Sequence, residues 1–300
     1  MREHTHPPGN AVRTAIVRAP PGLFDRPVPH PTAQTLVAGR LHALGDCIEN
    51  DGWISWLPPD RGGYESLNAH LLVEGRAGLM IDTSLPIAGP AIVEQAARFD
   101  LDELTIVLTR GVEFESVGNA ELVAAVLPLR RLYVHYGAWQ WIFFRERTAP
   151  PEAELGWEPI SLQKDTRIAL GPERAVQMLD APLRLLASAW AYDEATRTLF
   201  TSDCFSHVMA PDPARRVVTA EHDTTTPDAV LAHLARKYDW LEDADTDVPR
   251  RRLDHVLATH AVERIAPTNG CVLEGADVVA RHAAMLDDAL RALGRGAVAA

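Results

Sequence analysis

The sequence predicts a mixed α/β (α+β) fold, a four-layer αββα sandwich, and two observations predict it. Strand-like segments form two groups along the chain, and each group is followed by helices with one apolar face. Many strands are joined by hairpins rather than by helical crossovers, which favours a sandwich over a doubly wound parallel sheet. The chain has 300 residues, 47% of them hydrophobic, and can therefore bury a large core.

The first part of the chain is rich in proline. Seven prolines between Pro7 and Pro31 prevent a long helix and favour extended or irregular structure. We therefore predict an arm over residues 1–40, which wraps the domain or a partner. A single domain without an internal linker is predicted over residues 41–295.

The first strand-rich group begins with a hairpin. Residues 69–75 read as one strand, Arg76 and Ala77 as the turn, and residues 78–84 as the second strand. Apolar residues at helical spacing and short β-rich runs predict the elements that follow. These are a helix at 87–98, a strand at 104–109, a helix at 119–127, a strand at 131–136, an aromatic stretch at 137–144 that forms a lid or a dimer contact, and a loop through Pro159.

The second half of the chain repeats the pattern of strands closed by helices. The predicted strands are 166–170, 174–179, 184–192, 197–201 and 254–259, and the predicted helices are 227–238 and 273–293. The charge run at 248–252 is predicted to be a solvated loop.

Composition argues against several classes of function. The formal net charge of -12 disfavours a nucleic-acid surface, which needs clustered Lys and Arg. No stretch reaches the ~18 apolar residues of a membrane span, and the polar start is unlike a signal segment, so we predict a cytoplasmic protein without a membrane contact. Cys47, Cys204 and Cys271 lie far apart and are odd in number, so we interpret them as reduced thiols.

Four motifs follow one another along the predicted domain. They are SLNAHLLVEGRAGLMIDTSLP (66–86), LTIVLTRGVEFESVGN (104–119), TRTLFTSDCFSH (196–207) and HVLATHAVERIAPTNG (255–270). Their order and spacing resemble the metallo-β-lactamase fold, and the third motif is similar to a segment of the di-iron domain of flavodiiron proteins. The resemblance covers about residues 40–292 and implies the αββα sandwich, whereas function must be argued from the site itself.

The resemblance implies metal ligands in the second motif. There the family has His-x-His-x-Asp-His, or His-x-Glu-x-Asp-His-Ser-Gly in flavodiiron proteins. Aligning the glycine that closes the motif places Gly111 and Ser116 at histidine positions and keeps Glu113 and Glu115 at acidic ones. A register one residue earlier places Arg110 at the first histidine. We prefer the first register because it places acidic residues of this chain at the acidic positions of the family motif.

The other motifs complete the implied site. Asp203 takes the position of the aspartate that bridges both irons in flavodiiron proteins. Arg184 or Leu185 stands where the family has a ligand histidine, and Asn269 stands at the position of the last one. The resemblance thus implies a site that keeps three carboxylates and lacks all four imidazoles.

Three clustered carboxylates leave two chemical alternatives. Unpaired, they would repel one another and raise the pKa of at least one, so a cation should lie nearby. That cation is either a hard divalent metal, such as magnesium, manganese or calcium, or an arginine. We favour the metal-free alternative, in which Arg110 or Arg184 supplies the charge.

Two residues near Asp203 have alternative roles. His207 is a ligand in a rebuilt site or, as we prefer, a structural histidine that packs behind Asp203. Cys204 directly follows Asp203 and either reaches the pocket or acts as a small buried hydrophobe, which is the commoner role of a free cysteine.

Three functions are consistent with this site. The first, which we favour, is an altered, histidine-poor pocket that binds or acts on a small molecule through Asn269 and the three carboxylates. The second is an active oxidoreductase or hydrolase in which the carboxylates of Glu113, Glu115 and Asp203, with His207, hold iron or another divalent metal. The third is a non-catalytic scaffold or binding subunit, for example a homodimer.

Overall fold

Two seven-stranded β-sheets face each other in the computed structural model, which describes residues 32–294 except 53, 136–137, 143–151, 164, 184–187 and 243. Helices pack on the outer face of each sheet. The layers therefore run helix, sheet, sheet, helix, and the predicted four-layer sandwich is confirmed.

The first sheet is formed by the N-terminal half of the described chain. Its strands, in their order across the sheet, are β1 Gln34–Val37, β2 Leu41–Glu49, β3 Tyr64–Glu74, β4 Ala77–Ile81, β5 Glu103–Val107, β6 Leu129–His135 and β7 Glu158–Leu162. β4 to β7 pair in parallel. Parallel strands end at the same edge of a sheet, so the loops that follow β4 and β5 open on one rim.

The second sheet is formed by the C-terminal half. Its strands are β8 Arg167–Ala169, β9 Ala175–Asp180, β10 Ala189–Asp193, β11 Thr198–Phe200, β12 Val217–Val218, β13 Arg264–Ala266 and β14 Val272–Glu274. Their order across the sheet is β12-β14-β13-β11-β10-β9-β8. β11 and β13 pair in parallel, so the loops 201–207 and 267–270 leave the sheet on the same side.

Six α-helices lie in the described part of the chain. They are α1 Gly89–Ala96, α2 Phe114–Val117, α3 Ala120–Val126, α4 Pro227–Lys237, α5 Asp247–Thr259 and α6 Ala276–Leu293. α1 and α3 share a hydrophobic core with the first sheet, and α4, α5 and α6 share one with the second. None of the described helices is long and apolar enough to cross a membrane.

A third hydrophobic core lies between the two sheets. Ile81 and Val107 from the first sheet pack there with Ala191 and Phe200 from the second. Because this core joins the strand ends of both sheets, it brings the loop after β5 close to the loop after β11.

Two sequence predictions, for residues 248–252 and 254–259, are wrong. Residues 254–259, predicted as a strand, belong to α5, and the charge run 248–252 forms turns of this helix rather than a loop. Leu253 and Val256 are buried, whereas Asp254 and His255 are exposed. The apolar residues therefore recur at helical spacing, and the β-branched content misled the prediction.

Three strands of the first sheet were not predicted. β1 lies within the segment predicted as an arm, of which residues 1–31 are outside the described residues. β2 is buried on both faces and includes His42 and Asp46, so it lacks the alternation that marks a half-exposed strand. β7 contains Pro159, which is tolerated because β7 ends the sheet.

Candidate functional site

Loops from both sheets meet at one rim of the sandwich and enclose a cavity of about 330 Å³. The chain after β5 contributes Arg110, Glu113 and Glu115, the loop after β11 contributes Asp203, and the end of α4 contributes Lys237. The described residues that line the cavity are Ser55, Trp56, Arg110, Glu113, Glu115, Leu183, Ser188, Asp203, Arg236, Lys237, Tyr238 and Trp240. This volume lies at the lower end of the range for small-molecule sites.

Arg110 bridges two of the carboxylates. Its Nη1 donates to Asp203 Oδ2 at 2.5 Å, and its Nη2 donates to Glu115 Oε2 at 2.9 Å. The three side chains are only 10–16% exposed, so solvent screens these ion pairs weakly. Burial disfavours the charged guanidinium, but Asp203 and Glu115 outweigh this effect and raise the pKa of Arg110. Arg110 is therefore a permanent internal cation of the cavity.

Two neighbouring positions of the second motif, 110 and 111, face in different directions. A Cβ built on Gly111 would lie 2.7 Å from Val134 Cγ2, so a side chain there would point at β6. Arg110 instead reaches the cavity and contacts Asp203. Position 110, the first histidine of the alternative register, therefore faces the cavity, and Glu113 and Glu115, the acidic positions of the preferred register, line it as well.

The buried carboxylate of Asp82 holds the loop after β5 in place through hydrogen bonds. Asp82 is 1% exposed and accepts hydrogen bonds from Thr109 N, Thr109 Oγ1, Ser116 Oγ and Thr268 Oγ1. These bonds join the chain after β4, β5 and β13. Burial raises the pKa of Asp82, and the hydrogen bonds oppose the rise. Ser116 also accepts from Arg110 N, so this cluster positions the main chain at Arg110.

Asn269 is not among the described residues that line the cavity. It is fully buried in the loop after β13, and neither Oδ1 nor Nδ2 has a hydrogen-bond partner among the described residues. Its loop is held by β3, because Asn68 Nδ2 donates to Pro267 O and Gly270 O. The fold thus fixes the backbone at Asn269, while the side chain has no described polar partner.

His207 lies in a buried chain of polar side chains. Its Nε2 is 2.8 Å from His282 Nδ1, and His282 Nε2 is 2.8 Å from Asp223 Oδ2. If His282 Nε2–H donates to the carboxylate, His207 Nε2–H donates to His282, which leaves His207 Nδ1 as an acceptor. Burial, with repulsion from His282, lowers the pKa of His207 to about 3, so this ring is neutral at pH 7. His207 is outside the described lining of the cavity.

The remaining candidates lie in the core or outside the described residues. Cys204 is 2% exposed in the core of the second sheet, and burial raises the pKa of its thiol, which keeps it protonated. Arg184 lies outside the described residues. In the aromatic stretch, Trp139 is buried with its ring edge-on to Trp157, and residues 143–144 are outside the described part.

Lys237, at the end of α4, was not predicted as a site residue from the sequence. Lys237 is three and four residues after the buried Leu234 and His233, so helical spacing turns it inward. Its Nζ donates to Ser206 Oγ at 3.0 Å and lies 5.3 Å from the centre of the Trp56 ring. The periodicity of α4 was the available signal for Lys237, whereas Trp56 lies in an irregular segment that gives no comparable signal.

Glu65, which lies on β3 next to Trp56, was not predicted as a site residue either. Glu65 is fully buried and accepts a hydrogen bond from Trp56 Nε1 at 3.3 Å. Burial raises the pKa of Glu65 to about 7, and Lys237 and Trp56 oppose the rise. Glu65 is therefore only partly ionised near pH 7.

Comparison with solved structures identifies the fold. Rubredoxin oxygen:oxidoreductase from Desulfovibrio gigas aligns with a TM-score of 0.62 and 14% identity over 86% of this chain and 61% of its own. The flavodiiron protein from Giardia intestinalis aligns with a TM-score of 0.62 and 12% identity over 87% and 59%. The chemotaxis sensor ODP, solved as a peroxy diiron species, aligns with a TM-score of 0.55 and 15% identity over 85% and 94%. No family model and no curated protein sequence matches the chain.

These likenesses define a metallo-β-lactamase-type αββα sandwich. Within that class, the chain has the fold of the core of flavodiiron proteins, as its motifs implied. The chain spans about three fifths of the length of the flavodiiron proteins it matches. At 12–15% identity, the likeness shows the fold alone.

The described residues that line the cavity do not offer the donor set of a di-iron centre. Its described lining offers no imidazole, and among the described residues no three His, Cys, Asp or Glu side chains are arranged to hold a metal ion. The Arg110 guanidinium lies against Asp203 and Glu115. A guanidinium has donors and no acceptor, so it competes with a cation for these carboxylates and cannot itself be a ligand.

Proposed function

We propose that this chain is a metal-independent, flavodiiron-like member of the metallo-β-lactamase fold whose cavity binds or acts on a small polar molecule. The observation that carries the proposal is the Arg110 bridge, because it supplies a positive charge to both Asp203 and Glu115 without a metal ion. In the described lining, Arg110 and Arg236 lie together with the three acidic residues, so cations of the chain itself offset part of the carboxylate charge.

The cavity has features of a small-molecule site. Two N–H groups of Arg110 are used in the carboxylate bridge, and the others make no hydrogen bond with a described residue. They can donate to an oxygen of a bound molecule. Trp56 and Trp240 provide apolar area on the same walls. Concave apolar surface with a few polar groups is the usual composition of such sites.

Metal analysis of the purified protein tests this proposal. Wild type and Asp203→Ala would be incubated with ferrous iron, manganese or zinc, freed of excess metal by gel filtration and measured by elemental analysis. We expect no stoichiometric metal in either protein. One or two equivalents in the wild type, lost in Asp203→Ala, would contradict the proposal and support the metal-dependent oxidoreductase or hydrolase.

Two exposed apolar side chains favour a second candidate function, a binding subunit or homodimer. Val112 and Phe114 lie between cavity residues of the same loop and are 43% and 50% exposed. A surface of this kind next to a pocket is a candidate contact for a second copy. Light scattering of the wild type and a Val112→Ser/Phe114→Ser variant tests it: a monomer in both proteins would rule out the homodimer.

A further inference from the structure

Lysine is rare in this chain. Of the 29 basic residues, only Lys164 and Lys237 are lysines, and all others are arginines. One of the two, Lys237, lines the cavity. An arginine would supply a structural cation equally well, and this chain uses arginine almost everywhere else. A lysine differs in chemistry, because its amine can lose a proton and act as a nucleophile, which a guanidinium does not do in proteins.

The contacts of Lys237 leave its amine accessible from the cavity. Its hydrogen bond among the described residues is the 3.0 Å contact with Ser206 Oγ, and no described carboxylate forms an ion pair with Nζ. The face of Trp56 covers one side of the ammonium. An amine that is paired with a neutral hydroxyl, and not with a carboxylate, is easier to deprotonate.

The electrostatic surroundings of Lys237 also favour the neutral amine. Burial lowers the pKa of Lys237; Asp203, Glu65 and Glu115 oppose this effect, and the nearby Arg110 adds to it. Desolvation and a neighbouring cation are the two means by which proteins activate a lysine amine. Both are present at Lys237.

We propose that Lys237 Nζ forms an imine with a small aldehyde or ketone bound in the cavity. This inference rests on the proposed function, because it requires a cavity that admits a small molecule. The neutral amine adds to the carbonyl carbon, a proton passes from Nζ to the carbonyl oxygen, and loss of water leaves the C=N bond. The step needs no oxidant, reductant or metal.

Glu113 is the acid of the described lining that Arg110 does not bind. It lines the same cavity, and its side chain makes no hydrogen bond with a described residue. Glu115 and Asp203, by contrast, are held by Arg110. Because Arg110 does not hold its carboxylate, we assign to Glu113 the proton transfers that accompany imine formation.

Reductive trapping tests the inference. Wild type, Lys164→Arg and Lys237→Arg would be treated with limiting propionaldehyde or pyruvate and borohydride, which converts an imine to a stable secondary amine, and then mapped by peptide mass spectrometry. We expect one adduct at Lys237 in wild type and Lys164→Arg, formed several-fold faster than any adduct at Lys164 or the N-terminal amine. Lys237→Arg should lack it. Lys164→Arg is the matched control, since it removes the only other lysine side chain.

Two results would overturn the inference. Either Lys237 is not labelled, or Lys164 and the N-terminal amine are labelled as fast as Lys237. If Lys237 is not labelled in the wild type, while propionaldehyde still raises its melting temperature and no metal is found, the imine fails and the proposed cavity function stands. Stoichiometric metal in the wild type would instead contradict the proposed function. Lys237→Met, with its melting temperature, replaces Lys237→Arg if the latter does not fold.

Discussion

Arg110 and Arg174 each bind two carboxylates in buried surroundings, yet they differ in what else they contact. Arg174 forms a bidentate pair with Asp193, through Nε at 3.0 Å and Nη2 at 2.7 Å, and its Nη1 is 3.3 Å from Glu74 Oε2. It also donates to the carbonyl oxygens of Val73 and Arg40. Arg110 donates to Asp203 and Glu115 and to no described carbonyl oxygen.

The difference shows how the same residue types serve structure in one place and a site in another. Arg174 uses its donors within the protein and ties the turn before β9 to the first sheet, so it acts as a structural clamp. Arg110 has N–H groups that make no hydrogen bond with a described residue, and it lines the cavity. Unused hydrogen-bonding capacity next to a cavity, and not the ion pair itself, therefore distinguishes the candidate site.

The largest expected effect is at the structural clamp. Arg174→Met leaves the carboxylate of Asp193, which is fully buried, without its cation. We expect a loss of roughly 3–5 kcal/mol in the free energy of unfolding, because an unpaired buried charge is costly. Urea unfolding measures it. A loss below about 1 kcal/mol would show that the Arg174 pair is worth no more than a surface ion pair.

Removing the cavity arginine should cost less and should change metal binding. Arg110→Met leaves two carboxylates together, partly accessible to water, and we expect a loss of roughly 2–4 kcal/mol. The freed carboxylates form an oxygen site, so manganese should raise the melting temperature of Arg110→Met and not that of the wild type.

A second substitution controls this result. Arg110→Met/Asp203→Leu removes a repelling charge together with its cation, so we expect it to recover part of the lost stability and to lose the manganese response. If the double variant is as unstable as the sum of both single variants, the Arg110–Asp203 pair does not act as a unit.

Glu65 is a buried acid without a bridging arginine, so it can be compared with the arginine-bound Asp203 and Asp193. Its folded-state pKa of about 7 lies above the ordinary 4.5, so the folded protein binds this proton more tightly than the unfolded chain. The resulting stability is present below pH 4.5 and is lost as pH rises through 7, a change of roughly 3 kcal/mol. Glu65→Gln keeps an acceptor for Trp56. The decrease in the free energy of unfolding between about pH 5 and about pH 8 should therefore be smaller in this variant than in the wild type. The same fall in both proteins would assign the pH dependence to another group.

The smallest effect is expected for Arg76, which also bridges two acids. It contacts Asp100 and Asp102 at the surface, where the three side chains are 55–85% exposed. We expect Arg76→Met to leave the melting temperature unchanged within error, because solvent screens exposed ion pairs. A drop as large as that of Arg110→Met would mean that burial does not explain the difference between the two arginines.

Much of the fold was predictable because its strands and helices have clear periodicity. The 69–84 hairpin is confirmed as β3 and β4, although β3 begins at Tyr64. α5 was wrongly predicted as a strand because Val256 and Thr259 have high strand propensity. Packing of Leu253 and Val256 with α6 and the second sheet outweighs this propensity and stabilises the helix. Tertiary contacts of this kind are not visible in a short window of sequence.

The site was predictable only where a motif places the backbone. The positions of Glu113, Glu115 and Asp203 follow from loops at the ends of β5 and β11. Side-chain direction depends on partners far along the chain, as for His207, whose partner His282 is 75 residues away. Lys237 was not predicted because the motifs mark only metal-ligand positions, and α4 carries none of them.

We propose that Arg110 takes the place of a metal between Asp203 and Glu115. A crystal structure grown with manganese, with anomalous scattering measured at the cavity, tests it most directly. We expect guanidinium density in contact with both carboxylates and no anomalous peak between them. An anomalous peak within about 2.6 Å of the Asp203 carboxylate, with Arg110 turned away, would contradict the account.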